Sequence, residues 1–250
     1  MRLRRAKTIG LAIEGHGERW YAKGGAFLED WVSNKDQGNQ GRGITARVVA
    51  QPVPGESSVL HVGGSLSLRS TRRNNSVGFK SRPEIGLTDV RFVNTGRITG
   101  ASSIRRLGVE AVAIRGPYSV QAEYMRTRVA RDEFKDPEFD GWYVFVSWFL
   151  TGESRNFTRR VGNFGPIKPN HDYGAFELAA RYSAIDLTSE TVFGGEEKNV
   201  TLGLNWYVRP RIRLMANYVL AWTDANANDN GRVVGNDSPQ ALQFRIQIHF

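Results

Sequence analysis

Large apolar residues alternate with polar ones along much of this chain, and the alternation is cleanest at its C-terminal end. From Leu242 the residues run Leu242, Gln243, Phe244, Arg245, Ile246, Gln247, Ile248, His249, Phe250, with every even position large and apolar. A period of two puts one set of side chains on each face of a β-strand. Three preceding segments repeat it. Ile212, Leu214, Ala216, Tyr218, Leu220 and Trp222 oppose Arg211, Arg213, Met215 and Asn217. Val200, Leu202, Leu204, Trp206 and Val208 oppose Thr201, Gly203, Asn205 and Tyr207. Phe176, Leu178, Ala180, Tyr182 and Ala184 oppose Glu177, Ala179, Arg181 and Ser183.

Noisier segments of the same kind occupy residues 7–15, 19–29, 43–51, 59–70, 76–83, 104–115, 118–131 and 140–151. With the four above they predict about twelve antiparallel strands. Gly116-Pro117 and Val208-Arg209-Pro210-Arg211 read as tight turns, the kind of site proline favours. Residues 30–42, 84–103, 152–172, 186–197 and 224–238 are polar and rich in Asn, Asp and Gly, and predict long connections. No shift in composition marks a linker, so residues 1–250 read as one domain.

A soluble sandwich also alternates, but its strands average about five or six residues, and these run near ten. Trp142, Trp148, Tyr182, Trp206 and Trp222 fall on the apolar faces near strand ends, as an aromatic girdle at a membrane interface would. The opposite faces are polar, which the core of a packed sandwich would not tolerate. The pattern therefore predicts an all-β, antiparallel transmembrane barrel. With 40% apolar residues, no run approaches the ~18 that a spanning helix needs. Barrel strands need an apolar residue at every second position.

Lysine and arginine number 34 against 25 acids, for a net charge of +9. That excess suits nucleic acid, anionic lipid or small anions. A soluble basic β-protein binding nucleic acid would group its cations with exposed aromatics on one face. Here arginines and aromatics fall on opposite faces, which disfavours that alternative. The absence of cysteine excludes disulfides, thiolate metal sites and cysteine nucleophiles. His16, His61, His171 and His249 have no spacing that makes a metal pair. Asp136, Glu138 and Asp140 alternate as Ca²⁺ ligands can, but Arg131 and Lys135 nearby favour a solvated loop. Gly15-His16-Gly17 lacks the third glycine and the helix of a nucleotide fingerprint. No serine sits in a nucleophile elbow. No enzyme activity, metal or cofactor is expected.

The segment from Gly141 to Arg155 (GWYVFVSWFLTGESR) resembles the strand-and-turn signature of the phosphate-selective porin O and P family. Gly165-Pro-Ile-Lys168-Pro and Gly174-Ala-Phe-Glu-Leu-Ala-Ala-Arg-Tyr-Ser183 are similar to that family's next elements. Gly43-Ile-Thr-Ala-Arg47, Leu60-His-Val-Gly63, Asn94-Thr-Gly96 and Gly116-Pro-Tyr-Ser-Val-Gln-Ala-Glu-Tyr124 match the same series, in order. The resemblance implies a bacterial outer-membrane channel, homotrimeric and sixteen-stranded, that passes phosphate or related anions. It also implies contact with outer-membrane lipid, and gives Phe250 the role of the signal read by the barrel-assembly machinery. On that reading the chain is the C-terminal portion of such a barrel, with the loop that narrows the pore lying before residue 1. Met1–Lys7 is basic like the start of a signal peptide, without the apolar segment that would follow. The alternative expectation is a barrel portion that does not conduct by itself.

Alternation names the candidate lining residues. Arg47 and Arg69 fall on polar faces, and Arg72 and Arg73 follow in a turn. Lys80 and Arg82 are expected on the polar face of the next strand, and Arg181, Arg213 and Arg245 on those of later ones. Arg155, Arg159, Arg160 and Lys168 lie in one long connection and resemble the family's basic group on the periplasmic side. Arginine suits an oxyanion because its planar fork binds two oxygens at once. Carboxylates such as Glu110, Glu123 and Glu177 are available to pair with these cations.

Overall fold

The computed structural model describes residues 8–29, 41–55, 57–71, 76–86, 88–158, 163–229 and 231–248. Their strands are, in order, β1 (Thr8–His16), β2 (Trp20–Glu29), β3 (Arg42–Pro54), β4 (Ser58–Ser70), β5 (Ser76–Val77) and β6 (Lys80–Ser81). Next come β7 (Val93–Asn94), β8 (Ile98–Thr99), β9 (Ala101–Arg115), β10 (Tyr118–Arg131), β11 (Glu138–Phe149), β12 (Phe157–Thr158) and β13 (Asn163–Phe164). The last are β14 (Ala175–Ser189), β15 (Val192–Arg209), β16 (Ile212–Thr223), β17 (Asn228–Asp229), β18 (Arg232–Val233) and β19 (Gln240–Ile248).

Eleven of these form one antiparallel meander in the order β1-β2-β3-β4-β9-β10-β11-β14-β15-β16-β19. Each long strand pairs with the next long one along the chain, as a barrel wall requires. Among the described residues β1 and β19 each have one neighbour, so the sheet has two edges. The remaining strands make four two-residue ribbons inside the connections.

Two expectations change. Residues 76–83 are not a twelfth wall strand: β5 pairs β8 and β6 pairs β7, within the connection that joins β4 to β9. Alternation there is too short, and Gly78 and Pro83 break it. Residues 186–197, expected as a long polar connection, are strand on both sides of a two-residue turn at Glu190 and Thr191. A register shift between Asp186 and Thr188 throws the alternation out of phase and hides the strand from a period-two reading.

The turns at one end of the sheet are tight. At Gly116-Pro117 the glycine takes φ 55°, and the proline follows it, as a type II′ hairpin turn allows. The described parts of the β4–β9 and β11–β14 connections fold back over the polar face. At the end where β4 leads to β9, Val77 and Phe79 pack against a buried cluster of Val93, Ile98, Val129, Phe139, Leu187 and Val192. At the other end Phe157 and Phe164 pack on Val59, Val112 and Ile114, while Ile167 packs with Phe149, Ala175 and Tyr207. The apolar cores thus sit at the two mouths of the sheet.

Between them the usual burial is inverted. Leu242, Phe244, Ile246 and Ile248 are more than half exposed, as are Ile44, Val48 and Val109. Glu177, Glu197, His61 and Asn199 are buried on the opposite face. Aromatic side chains mark the borders of the exposed band. Tyr118 stacks on Trp148 and Phe176 on Trp206 toward one end, and Trp142 meets Tyr182 toward the other, at 5.3–6.0 Å between ring centroids. Lipid is the solvent that such a surface suits.

Candidate anion pathway

Among the described residues, charge gathers on the polar face near each mouth and between them. In the middle, Arg47 of β3 and His61 of β4 both reach Glu110 of β9. The Arg47 guanidinium pairs with Glu110 Oε1, and His61 Nε2 lies 2.8 Å from the same oxygen. Gly63 stands opposite Glu110 in register, and a Cβ there would lie 2.8 Å from Oε1. Glycine leaves room for the carboxylate.

At the mouth formed by the tight turns, Arg155 enters from the connection between β11 and β14 and pairs with the fully buried Glu177 of β14. Arg155 Nε donates to Ser147 Oγ at 3.0 Å, and its guanidinium lies over Phe145 and Phe164. Asn205 Nδ2 and the Tyr207 hydroxyl donate to Glu177 Oε2 at 3.0 and 2.8 Å. Arg213 donates to Tyr207 Oη at 3.1 Å and to Gln247 Oε1 at 2.8 Å. A cleft of about 520 Å³ opens beside it, lined by Arg155, Arg209, Arg211 and Arg213.

At the opposite mouth the β4–β9 connection crosses the polar face as far as β19. Gly86 N–H donates to Gln243 Oε1 at 3.0 Å, and Gln243 Nε2 donates to the Glu84 carbonyl at 3.0 Å. The Glu84 carboxylate meets Arg181 Nε at 2.7 Å and accepts from Ser183 Oγ at 2.7 Å and from Thr201 Oγ1. The Arg181 guanidinium is held over the Tyr143 ring, 3.9 Å from its centroid. A cleft of about 450 Å³ lies alongside, with Lys80, Arg82, Arg106 and Glu123 on its walls.

The expected residues fare differently. Arg47, Arg69, Arg181, Arg213 and Arg245 stand on the polar face of β3, β4, β14, β16 and β19. Lys80 and Arg82 belong to the in-folded connection and not to a wall strand, with Arg82 2.6 Å from Asp89. Lys80, Lys168 and Arg245 are exposed, and their side chains have no ionic or hydrogen-bonded partner among the described residues. Arg72, Arg73, Arg159, Arg160 and Phe250 lie outside the described residues. The in-folding of the β4–β9 connection, which brings Lys80, Arg82 and Glu84 over the polar face, is not foreseen by alternation. Arg106 was missed too, although Ile104, Arg106 and Glu110 share a face by alternation. Glu84 had no signal, since nothing local tells an in-folded acid from a solvated one.

Comparison with known proteins bears on the family and the fold. A sequence profile of the phosphate-selective porin O and P family matches residues 3–250. Porin O of Pseudomonas aeruginosa is 28% identical over 253 residues, covering 88% of this chain and 57% of Porin O. An uncharacterised protein of Caulobacter vibrioides is 27% identical over 229 residues, covering 86% of this chain and 46% of that protein. The anion-selective porin from Comamonas acidovorans superposes with a TM-score of 0.59 at 14% identity, covering 96% of this chain and 59% of that one. The chain thus spans about half the length of the curated relatives it matches. With the profile running almost from end to end over strands that expose their apolar face and bury their charged one, the chain belongs to the phosphate-selective porin O and P family.

Proposed function

We propose that this chain forms the wall of a passive diffusion channel of the bacterial outer membrane, selective for anions, with inorganic phosphate or a related oxyanion as solute. The observation that carries the reading is the segregation of charge. Arg47, Arg69, Arg181, Arg213 and Arg245 share the polar face, while the opposite face is exposed and apolar. Cations confined in a narrow aqueous path attract anions and replace part of their hydration with charge-assisted hydrogen bonds.

The cations divide by their partners. Arg47 and Arg155 are tied to carboxylates and act as wall. Lys80, Lys168 and Arg245, without such partners among the described residues, set the potential that a solute meets. The conducting form we propose is a closed sixteen-stranded homotrimeric barrel, and the second reading is a barrel portion that carries no current alone. Outer-membrane lipid covers the apolar face, and Phe250 addresses the chain to the assembly machinery.

The test is the reversal potential of the closed barrel in a planar bilayer under a KCl gradient, followed by phosphate block of the chloride current at low ionic strength. Chloride preference with block by phosphate is the expected result. A cation-selective pore overturns the reading.

A further inference from the structure

The Glu84 carboxylate is held as a bound anion would be. Its partners come from two adjacent wall strands: Arg181 and Ser183 of β14, and Thr201 of β15, which stands opposite Arg181 in register. The Arg181 guanidinium, as an ion-pair partner, and two hydroxyl donors converge on the two oxygens of one group, a combination of charge and donors that carboxylates and phosphates share. The cradle is built independently of its occupant. Tyr143 lies under the Arg181 guanidinium, and Asn199 Nδ2 reaches Ser183 Oγ at 3.5 Å while also donating to the buried Glu197 at 2.8 Å.

The occupant is loosely mounted by comparison. Glu84 follows Pro83 in a stretch outside any ladder, and the backbone there is tied to the wall by the two bonds to Gln243. The neighbouring pair, Arg82 and Asp89, stays within the connection. The cleft of about 450 Å³ beside the carboxylate gives a small solute room to reach the same donors.

We propose that Arg181, Ser183 and Thr201 form an oxyanion site on the channel wall, that Glu84 is its tethered occupant, and that a permeating oxyanion displaces Glu84 and frees the tip of the connection. The inference rests on the anion-channel reading for its solute. Lys80, Arg82, Arg106 and Arg181 face Glu84, Glu123, Asp140 and Glu197 around the cleft. Departure of Glu84 therefore leaves the site more cationic when a solute arrives, and the same carboxylate closes it when none does. Site and tip are linked, so whatever binds the cradle must weaken the tip, and whatever frees the tip must raise anion affinity.

The test uses the 250-residue chain folded in detergent micelles and reads amide exchange at Glu84–Gly86, where the Gly86 N–H is held by Gln243. Inorganic phosphate or acetate is compared with chloride at matched ionic strength, so that screening is subtracted. The proposal expects phosphate, acetate or both to speed exchange at the tip by about threefold or more over chloride, as local opening coupled to binding requires. Arg181→Gln should exchange fast without any added anion and respond to none. Glu84→Gln should do the same, and this conservative change guards against a folding defect in the arginine variant. Equal effects of phosphate, acetate and chloride would overturn the proposal, as would a tip that stays protected in Glu84→Gln. Displacement in micelles with a cation-selective pore would sink the channel reading alone. An anion-selective pore with an unresponsive tip would sink this inference alone.

Discussion

Glu177 and Leu178 are neighbours on β14 and occupy opposite worlds. Glu177 is fully buried and accepts hydrogen bonds from Arg155, Asn205 and Tyr207, while Leu178 is 43% exposed. In a water-soluble sheet the two would change places. The difference teaches where each kind of stability comes from. The outward face gains nothing from burial against protein and depends on a lipid solvent. The inward face gains through complete pairing, because a buried charge left alone is costly. Glu177 meets that condition through three partners, one from the β11–β14 connection and two from β15.

The comparison breaks most visibly if the inward pairing is cut. Arg155→Ala leaves the Glu177 carboxylate with two neutral donors in a buried place, and the expected loss is about 3–5 kcal/mol. Urea unfolding of the micelle-folded protein measures it. A loss no larger than that of an ordinary surface change would mean that water reaches Glu177.

Next comes the outward face. Ile246 stands opposite Leu214 in register and is 70% exposed, so Ile246→Arg puts a charge into lipid. The expected cost is about 2–4 kcal/mol at the midplane, and less toward an interface. Arg245→Gln, one residue away on the inward face, should change stability by about 0.5 kcal/mol or less. Gln247 is unsuited as the inward control, because it accepts a hydrogen bond from Arg213 and an arginine there would set two guanidiniums together. Equal costs at positions 245 and 246 would remove the distinction between the faces.

A smaller effect separates the cations without partners from the paired ones. Lys80→Gln removes a unit charge at the path, worth about 0.5 kcal/mol at ~8 Å in water, or about twofold in local anion concentration. The chloride-to-potassium permeability ratio of the closed barrel should fall accordingly, and its difference from the unmutated pore should vanish in high salt, where screening lowers both. An unchanged ratio would place Lys80 away from the path.

The smallest effect lies outside the wall, in the turn between β10 and β11. The backbone N–H of Arg131, at 2.9 Å, and then the Arg128 guanidinium hold the Asp136 carboxyl below the usual carboxylate range. Its folded value is depressed, so its contribution is complete above the unfolded value of about 3.9 and is lost as pH falls through the folded value. Amide protection at residues 131–136, corrected for the intrinsic pH dependence of exchange, should therefore fall below about pH 4 while the wall strands stay protected. Acid-insensitive protection there would show that the Asp136 contacts do not order the turn.

The wall is legible in the sequence because period two is a direct image of a strand with different solvents on its faces. β19 and β16 read correctly down to which arginines point inward, since Arg213 and Arg245 sit among uninterrupted large apolar neighbours. Where a bulge shifts the phase, as between Asp186 and Thr188, a strand reads as a connection. Where a short alternating run occurs without wall partners, as at residues 76–83, a connection reads as a strand. The clusters on the inward face are half legible. Alternation places Arg47 and Glu110 on the same side, and register, which sequence does not carry, brings them together across β4. The contact of Glu84 with Arg181 joins residues far apart in the chain through an irregular segment, and no local pattern encodes it.

The most direct test of the two-faced wall uses the absence of native cysteine. Single cysteines placed in turn from Gln243 to Ile248 carry a nitroxide, and the label's collisions with oxygen in the lipid are compared with those of a water-soluble nickel chelate. The account predicts an alternation of period two, with positions 244, 246 and 248 favouring oxygen and positions 243, 245 and 247 favouring the chelate. Accessibility that varies smoothly along the strand, or that favours the chelate on both faces, would contradict it.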